Sequence, residues 1–167
     1  VASRAFLLSS LGVLMTAGLV GLFVHFLFGV HWIESFLIGA VISSTDAASV
    51  FNVLRSENLA LKYHTDSLLE LESGSNDPVS YMLTILLCAI MTGKNISIPS
   101  TLFLQISIGI IGGLFLGWTA SFILAKYAAF SSAGWTIFLF SIALISYALP
   151  TILGGNGYLS VYFSGII

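Results

Sequence analysis

The feature that most constrains this chain is a succession of unbroken apolar runs, each of a length that crosses a bilayer as a helix. A hydrocarbon core of about 30 Å asks for about 20 such residues in a row. Six segments are legible: Ala5 to Val30, Trp32 to Leu54, Asp66 to Met91, Ser100 to Ala125, Ser132 to Leu149, and a sixth starting near Gly157. Apolar residues make up 57% of the 167 positions and charged residues 7%, whereas a soluble domain carries roughly a quarter charged residues. Too few charges are present to coat a water-facing surface. A membrane barrel would show alternating segments of about ten residues, and these runs are longer and do not alternate. The expected fold is therefore all-α: a polytopic transmembrane bundle of about six helices in the lipid bilayer.

Net charge is −2 and no basic stripe is present, so no nucleic-acid partner is expected. Cys88 is the sole cysteine, which excludes an internal disulfide, a multi-cysteine metal site and an iron–sulfur cluster. It reads as a small buried residue. The chain starts at Val1 and stops at Ile167 inside an apolar run, as a fragment of a longer polypeptide would, and no signal-peptide pattern is visible. Arg4, Arg55, Lys62 and Lys126 fall on one side of the predicted bundle and Lys94 on the other. The positive-inside rule then puts residue 1 and the 55–65 loop in the cytoplasm, and the Asn95-Ile96-Ser97 sequon outside.

Local signals fit these segments. Ser67 with Glu70 reads as a capping box, and Pro99 suits the start of the fourth helix. Pro150 is expected to end the fifth, and Gly154-Gly155-Asn156-Gly157 reads as the following turn; a P-loop would need the Lys-Ser/Thr it lacks. Gly113 and Gly117 form a G-x-x-x-G pair, which calls for close helix packing within the chain or between subunits.

The informative residues are charges inside the apolar runs. Asp46 is nine residues from Arg55, and Asp77 eleven from Asp66. At about 1.5 Å per residue each lies roughly 14–17 Å from a helix end, near mid-membrane. A carboxylate at that depth is costly unless it faces other protein, water or an ion. On the third segment Glu72, Ser73, Asn76, Asp77 and Ser80 recur at helical spacing as one polar stripe. Pro78 lacks an N–H and so frees the carbonyl of Gly74, four residues back. Carboxylate, hydroxyl and carbonyl oxygens are what a hard cation prefers. On the second segment Ser43, Ser44, Thr45 and Asp46 are consecutive, with Ser49 after them, so polarity runs around the helix. That pattern predicts a break near Thr45 of the kind transporters use at the midplane. Ser49 and Ser80 have two readings, bonding back to their own helix or lining the site. Glu72 reads as a structural group paired with a basic residue elsewhere. His25, His31 and His64 read as interfacial or loop residues, Trp32 and Tyr63 as interface anchors, and the Phe-rich first helix as lipid-facing or packing surface.

Gly-Ala-Val-Ile-Ser-Ser-Thr-Asp-Ala-Ala-Ser-Val-Phe (39–51) and Leu-Glu-Leu-Glu-Ser-Gly-Ser-Asn-Asp-Pro (69–78) closely resemble the electroneutral cation/proton antiporters of NhaP type, nearest the bacterial potassium/proton branch. The resemblance extends along the whole chain. It implies part of a larger NhaA/NhaP-like inverted-repeat transporter, in which Thr-Asp sits in an unwound helix and Asn-Asp in the next. It implies Asp77 as main carrier of ion and proton, with Asp46, Ser73 and the Thr45 carbonyl as further ligands of a monovalent cation, K+ or Na+. Asn76 stands where electrogenic relatives carry a second aspartate, which implies one proton per cation. Glu72 matches a glutamate that pairs with an arginine of the later half. The expectation is thus a multi-pass cell-membrane antiporter, not an enzyme. It takes no cofactor beyond the transported ions, and its partners are the bilayer, the rest of the same polypeptide and a second copy in a homodimer. A cation channel and a non-transporting scaffold are the alternatives; currents without proton coupling would mark the first, and indifference to aspartate replacement the second.

Overall fold

Helix is the regular structure throughout the computed structural model, which describes residues 2–46, 49, 52, 53, 56, 65–94, 97–126 and 132–167. They belong to two compact units, Val1–Ile96 and Ser97–Ile167. The first holds α1 (Ala2–Phe28), α2 (Trp32–Ile42) and α3 (Thr65–Met91); the second holds α4 (Ile98–Lys126), α5 (Ser132–Ile152) and α6 (Gly157–Ile166). Among the described residues, α1, α4 and most of α5 are long and apolar enough to cross a membrane. The expected all-α membrane architecture is what forms.

In the first unit α1 packs on α2 and α3, which also pack on each other. The α1 face that is buried is made of small residues four apart: Ala5, Ser9, Val13 and Ala17. Phe6, Phe23 and Phe26 project outward from the same helix. Small residues let backbones approach, which is how helices associate where lipid is as apolar as leucine. Gly39 of α2 is the closest point, where a Cβ would run into the backbone carbonyl of Ala17. The turn from α1 to α2 is fastened by His25, whose Nδ1 lies 2.7 Å from the Val30 carbonyl and whose ring stacks on Trp32 at 3.6 Å between centroids.

The second apolar segment is not one helix. Its first part, α2, stops at Ile42; Ser43 is a turn, residues 44–46 are non-helical, and Ser49 is helical again. The break falls where the polar run predicts it. Much of the 55–65 loop, with Arg55, Lys62, Tyr63 and His64, lies outside the described residues, as do Asn95 and Ile96 of the sequon. The side chains of Ser67 and Glu70 lie outside them too, and Ser67 falls two residues inside α3.

In the second unit α4, α5 and α6 pack on one another. Gly109, Gly113 and Gly117 recur every four residues on α4 and face α6; a Cβ at Gly109 would meet Asn156 and Leu159, one at Gly113 Ser160 and Phe163, and one at Gly117 Ser164. The G-x-x-x-G pair therefore serves packing within the chain. Asn156 caps α6, its Oδ1 accepting from the Leu159 N–H at 3.0 Å. One boundary needs correcting: Pro150 does not end α5, which continues to Ile152. A proline near the last turn costs the helix one hydrogen bond, here to the Ser146 carbonyl, and the chain stops where a residue can adopt positive φ. That residue is Gly154 (φ 81°); its N–H bonds to Thr151 and that of Gly155 to Pro150, at 3.0 and 2.8 Å. This is a Schellman termination, for which glycine is the usual residue.

Candidate functional site

The α2 break is held open by side chains rather than by a continued backbone ladder. The Ala40 carbonyl, in the last turn of α2, accepts from the Ser43 hydroxyl at 2.6 Å and from the Ser80 hydroxyl of α3 at 2.7 Å. Three residues on, the Thr45 carbonyl accepts from the Ser73 hydroxyl at 2.7 Å and from Asn76 Nδ2 at 3.4 Å. Asn76 Nδ2 also donates to the Thr45 hydroxyl, and lies 3.5 Å from Glu72 Oε1. Ser44 donates to Asp77 Oδ1, with Asn76 Oδ1 3.3 Å away. The polar stripe of α3 thus supplies donors for carbonyls that the interrupted helix leaves unpaired. An unpaired buried carbonyl costs about 1–3 kcal/mol, so the stripe and the break require each other.

Each residue singled out from sequence has a definite place. Thr45 and Asp46 are in the non-helical stretch, and Ser73, Asn76 and Asp77 come to it from α3. Asn76 is 1% exposed and Ser73 8%, while Asp46 and Asp77 are exposed. Successive residues of a helix point about 100° apart, so Asn76 faces the break squarely and Asp77 points past its edge. Pro78 lies buried inside α3, where its missing N–H leaves the Gly74 carbonyl without its helix partner. Both open serine questions are answered by partners. Ser80 bonds across to α2 rather than to its own helix, and Ser49 donates to Asp46 Oδ2 at 2.6 Å.

Beside these groups is a cavity of about 370 Å³ lined by Leu8, Gly12, Thr45, Asp46, Leu69, Glu72 and Ser73. It is large against the ~30 Å³ that a water occupies in the liquid. Leu8 and Gly12 belong to the first half of α1, and Leu69 to Ser73 to the first third of α3, so it lies toward the N-terminal ends of both helices. Its charged lining is Asp46 and Glu72. The carbonyl end of α2, with its partial negative charge, adds to a field that attracts a cation and repels an anion.

Sequence reasoning missed two contributors. Ser44 stood in the polar run without a role, although its place beside Thr45-Asp46 was a usable signal. Gly12 and Leu8 carry no polar signal; only packing brings them to the cavity.

These features define a class: a multi-pass helical membrane protein with a polar site built on a broken helix. The whole chain, residues 1–167, matches the family described as sodium/hydrogen exchanger, transmembrane, and it belongs to that family. It is 36% identical over 164 residues to the K(+)/H(+) antiporter NhaP of Alkalimonas amylolytica, covering 96% of this chain and 28% of that protein. It is 34% identical over 164 residues to the K(+)/H(+) antiporter NhaP2 of Shewanella oneidensis, covering 95% and 28%. The chain therefore spans about a quarter of the length of these relatives.

Proposed function

We propose that residues 1–167 are a partial antiporter domain, and that the whole protein exchanges a monovalent cation for a proton across the cell membrane. The observation that carries this reading is the meeting of the carbonyl end of a broken helix with the carboxylates Asp46 and Asp77 and the hydroxyl of Ser73. The names of the relatives point the same way and favour potassium. Asp77 is the carrier: its carboxylate holds either a proton or the cation. Asp46, Ser73 and the Thr45 carbonyl complete the cation's oxygen shell, with the freed Gly74 carbonyl close by in sequence. Asn76 and Pro78 shape the site, and Glu72 pairs with a basic residue from the rest of the polypeptide.

Proton and cation compete because a carboxylate that has taken up a proton has no charge left with which to bind an ion. A protein that changes access only when loaded with one or the other then exchanges them. One ionisable carboxylate beside the neutral Asn76 supports a one-for-one, electroneutral exchange. Lysine and arginine placement assigns the N-terminal ends of α1 and α3 to the cytoplasm, so the 370 Å³ cavity would be the cytoplasmic approach to the site. The assembly would be a homodimer.

The test is dissipation of a preset pH gradient in membrane vesicles containing the full-length protein, on adding potassium and then sodium. Loss of the response in Asp77→Asn is expected. Undiminished exchange in that variant would remove Asp77 from its role, and ionic current without proton movement would replace exchange by a channel.

A further inference from the structure

Ser44 has one proton and two acceptors within reach. Its hydroxyl donates to Asp77 Oδ1, and Asn76 Oδ1 is 3.3 Å away. The Asn76 amide cannot turn over to change this. Its other end faces the Thr45 carbonyl at 3.4 Å and Glu72 Oε1 at 3.5 Å, and a carbonyl and a carboxylate accept hydrogen bonds but do not donate them. The NH2 must therefore point there, and the amide oxygen toward Ser44.

The charge on Asp77 decides which acceptor takes the proton. An ionised carboxylate is the stronger acceptor, so in the empty site Ser44 donates to Asp77. A protonated Asp77 has its own O–H to give, and a bound cation needs a lone pair rather than a donor. In both loaded states the Ser44 oxygen serves best with its lone pairs toward Asp77 and its proton on Asn76 Oδ1.

We propose that Ser44 is a positioning residue whose hydroxyl turns between Asp77 and Asn76 with the loading of Asp77. It thereby stabilises the empty, ionised carrier selectively. The inference rests on Asp77 being the carrier. The titratable groups around it are Asp46 from the break and Glu72 from α3; α1 brings Leu8 and Gly12 to the adjoining cavity and no ionisable group.

The experiment is the pH dependence of potassium-driven exchange by the full-length protein in vesicles, for wild type, Asp77→Asn, Ser44→Ala and Ser44→Thr. Removing the hydroxyl takes a charge-assisted bond from the empty state but only a neutral one from the protonated state. The low-pH limb of Ser44→Ala is therefore expected to move upward by about 0.5–1.5 pH units, roughly a three- to thirtyfold tighter hold on the proton. The rate at the pH optimum is expected to stay within a few-fold of wild type. Ser44→Thr, which keeps the hydroxyl, restores the profile. If Ser44→Ala does not reach the membrane, Ser44→Cys carries the test with the same direction, since a thiol is a weak donor of similar size. A wild-type profile in the Ala or Cys variant, with Asp77→Asn inactive, overturns the role of Ser44 and leaves the carrier intact. Exchange by Asp77→Asn overturns both.

Discussion

Asn76 is the residue around which the site is organised, although it carries no charge. At 1% exposure it supplies donors to the Thr45 hydroxyl and carbonyl and an acceptor toward Ser44. Asn76→Ala leaves those groups without partners inside the unit. It is expected to destabilise the full-length protein by about 1–3 kcal/mol, read as a lowered thermal unfolding midpoint in detergent. Ser73→Ala should behave differently. It removes one donor to the Thr45 carbonyl and one candidate ligand oxygen, so the half-saturating cation concentration should rise by about five- to twentyfold, equivalent to ~1–2 kcal/mol. Folding yield should change little, and an unaltered concentration dependence would take Ser73 out of the ligand set. The identity of these residues was legible in the chain from the spacing 72, 73, 76, 77, 80. Which of them faces the break was not, because a helical stripe about 100° wide leaves open whether Asn76 or Asp77 is central.

At the scale of elements, the helices are held by close approach rather than by bulky interdigitation, and single methyl groups test this. A Cβ at Gly39 would strike the Ala17 carbonyl, and backbone has little room to give. Gly39→Ala is expected to destabilise by about 1–3 kcal/mol. At Gly18, also on α1, nothing lies within 4 Å of an added Cβ, so Gly18→Ala should be neutral or stabilise by up to ~1 kcal/mol through helix propensity. Thermal unfolding of the two variants side by side reads the difference, and equal midpoints would contradict the packing described for α1 and α2. The helices themselves were readable from apolar run length, and the α2 break from four consecutive polar residues. The end of α5 was misjudged at Pro150, because proline weakens a helix at one bond whereas a glycine at positive φ turns the chain away. The partner of the G-x-x-x-G face stayed open for the same kind of reason: small residues announce close contact without naming what comes close.

For the whole molecule, competition at one carboxylate has consequences for transport. Lowering the pH should raise the half-saturating cation concentration while leaving the maximal rate little changed. In the limit where the proton is bound, the rise approaches tenfold per pH unit, since one proton displaces one cation. Initial rates at several pH values in vesicles read this directly, and a half-saturation independent of pH would contradict competition. One-for-one exchange also predicts a rate indifferent to an imposed membrane potential, because no net charge crosses.

Length and composition by themselves determined that this chain makes membrane helices, roughly where each runs, and that one of them is interrupted. Those properties follow from transfer of apolar residues into a bilayer and from local hydrogen bonding, and both act along the chain. The pairing of Ser73 and Asn76 with Thr45, the contact of Ser44 with Asp77, the approach of Leu8 and Gly12 to the cavity and the seating of α6 on the α4 glycines were decided by tertiary structure alone. Each depends on the rotation of one helix against another, which is set by the sum of many small packing contacts rather than by any one residue type.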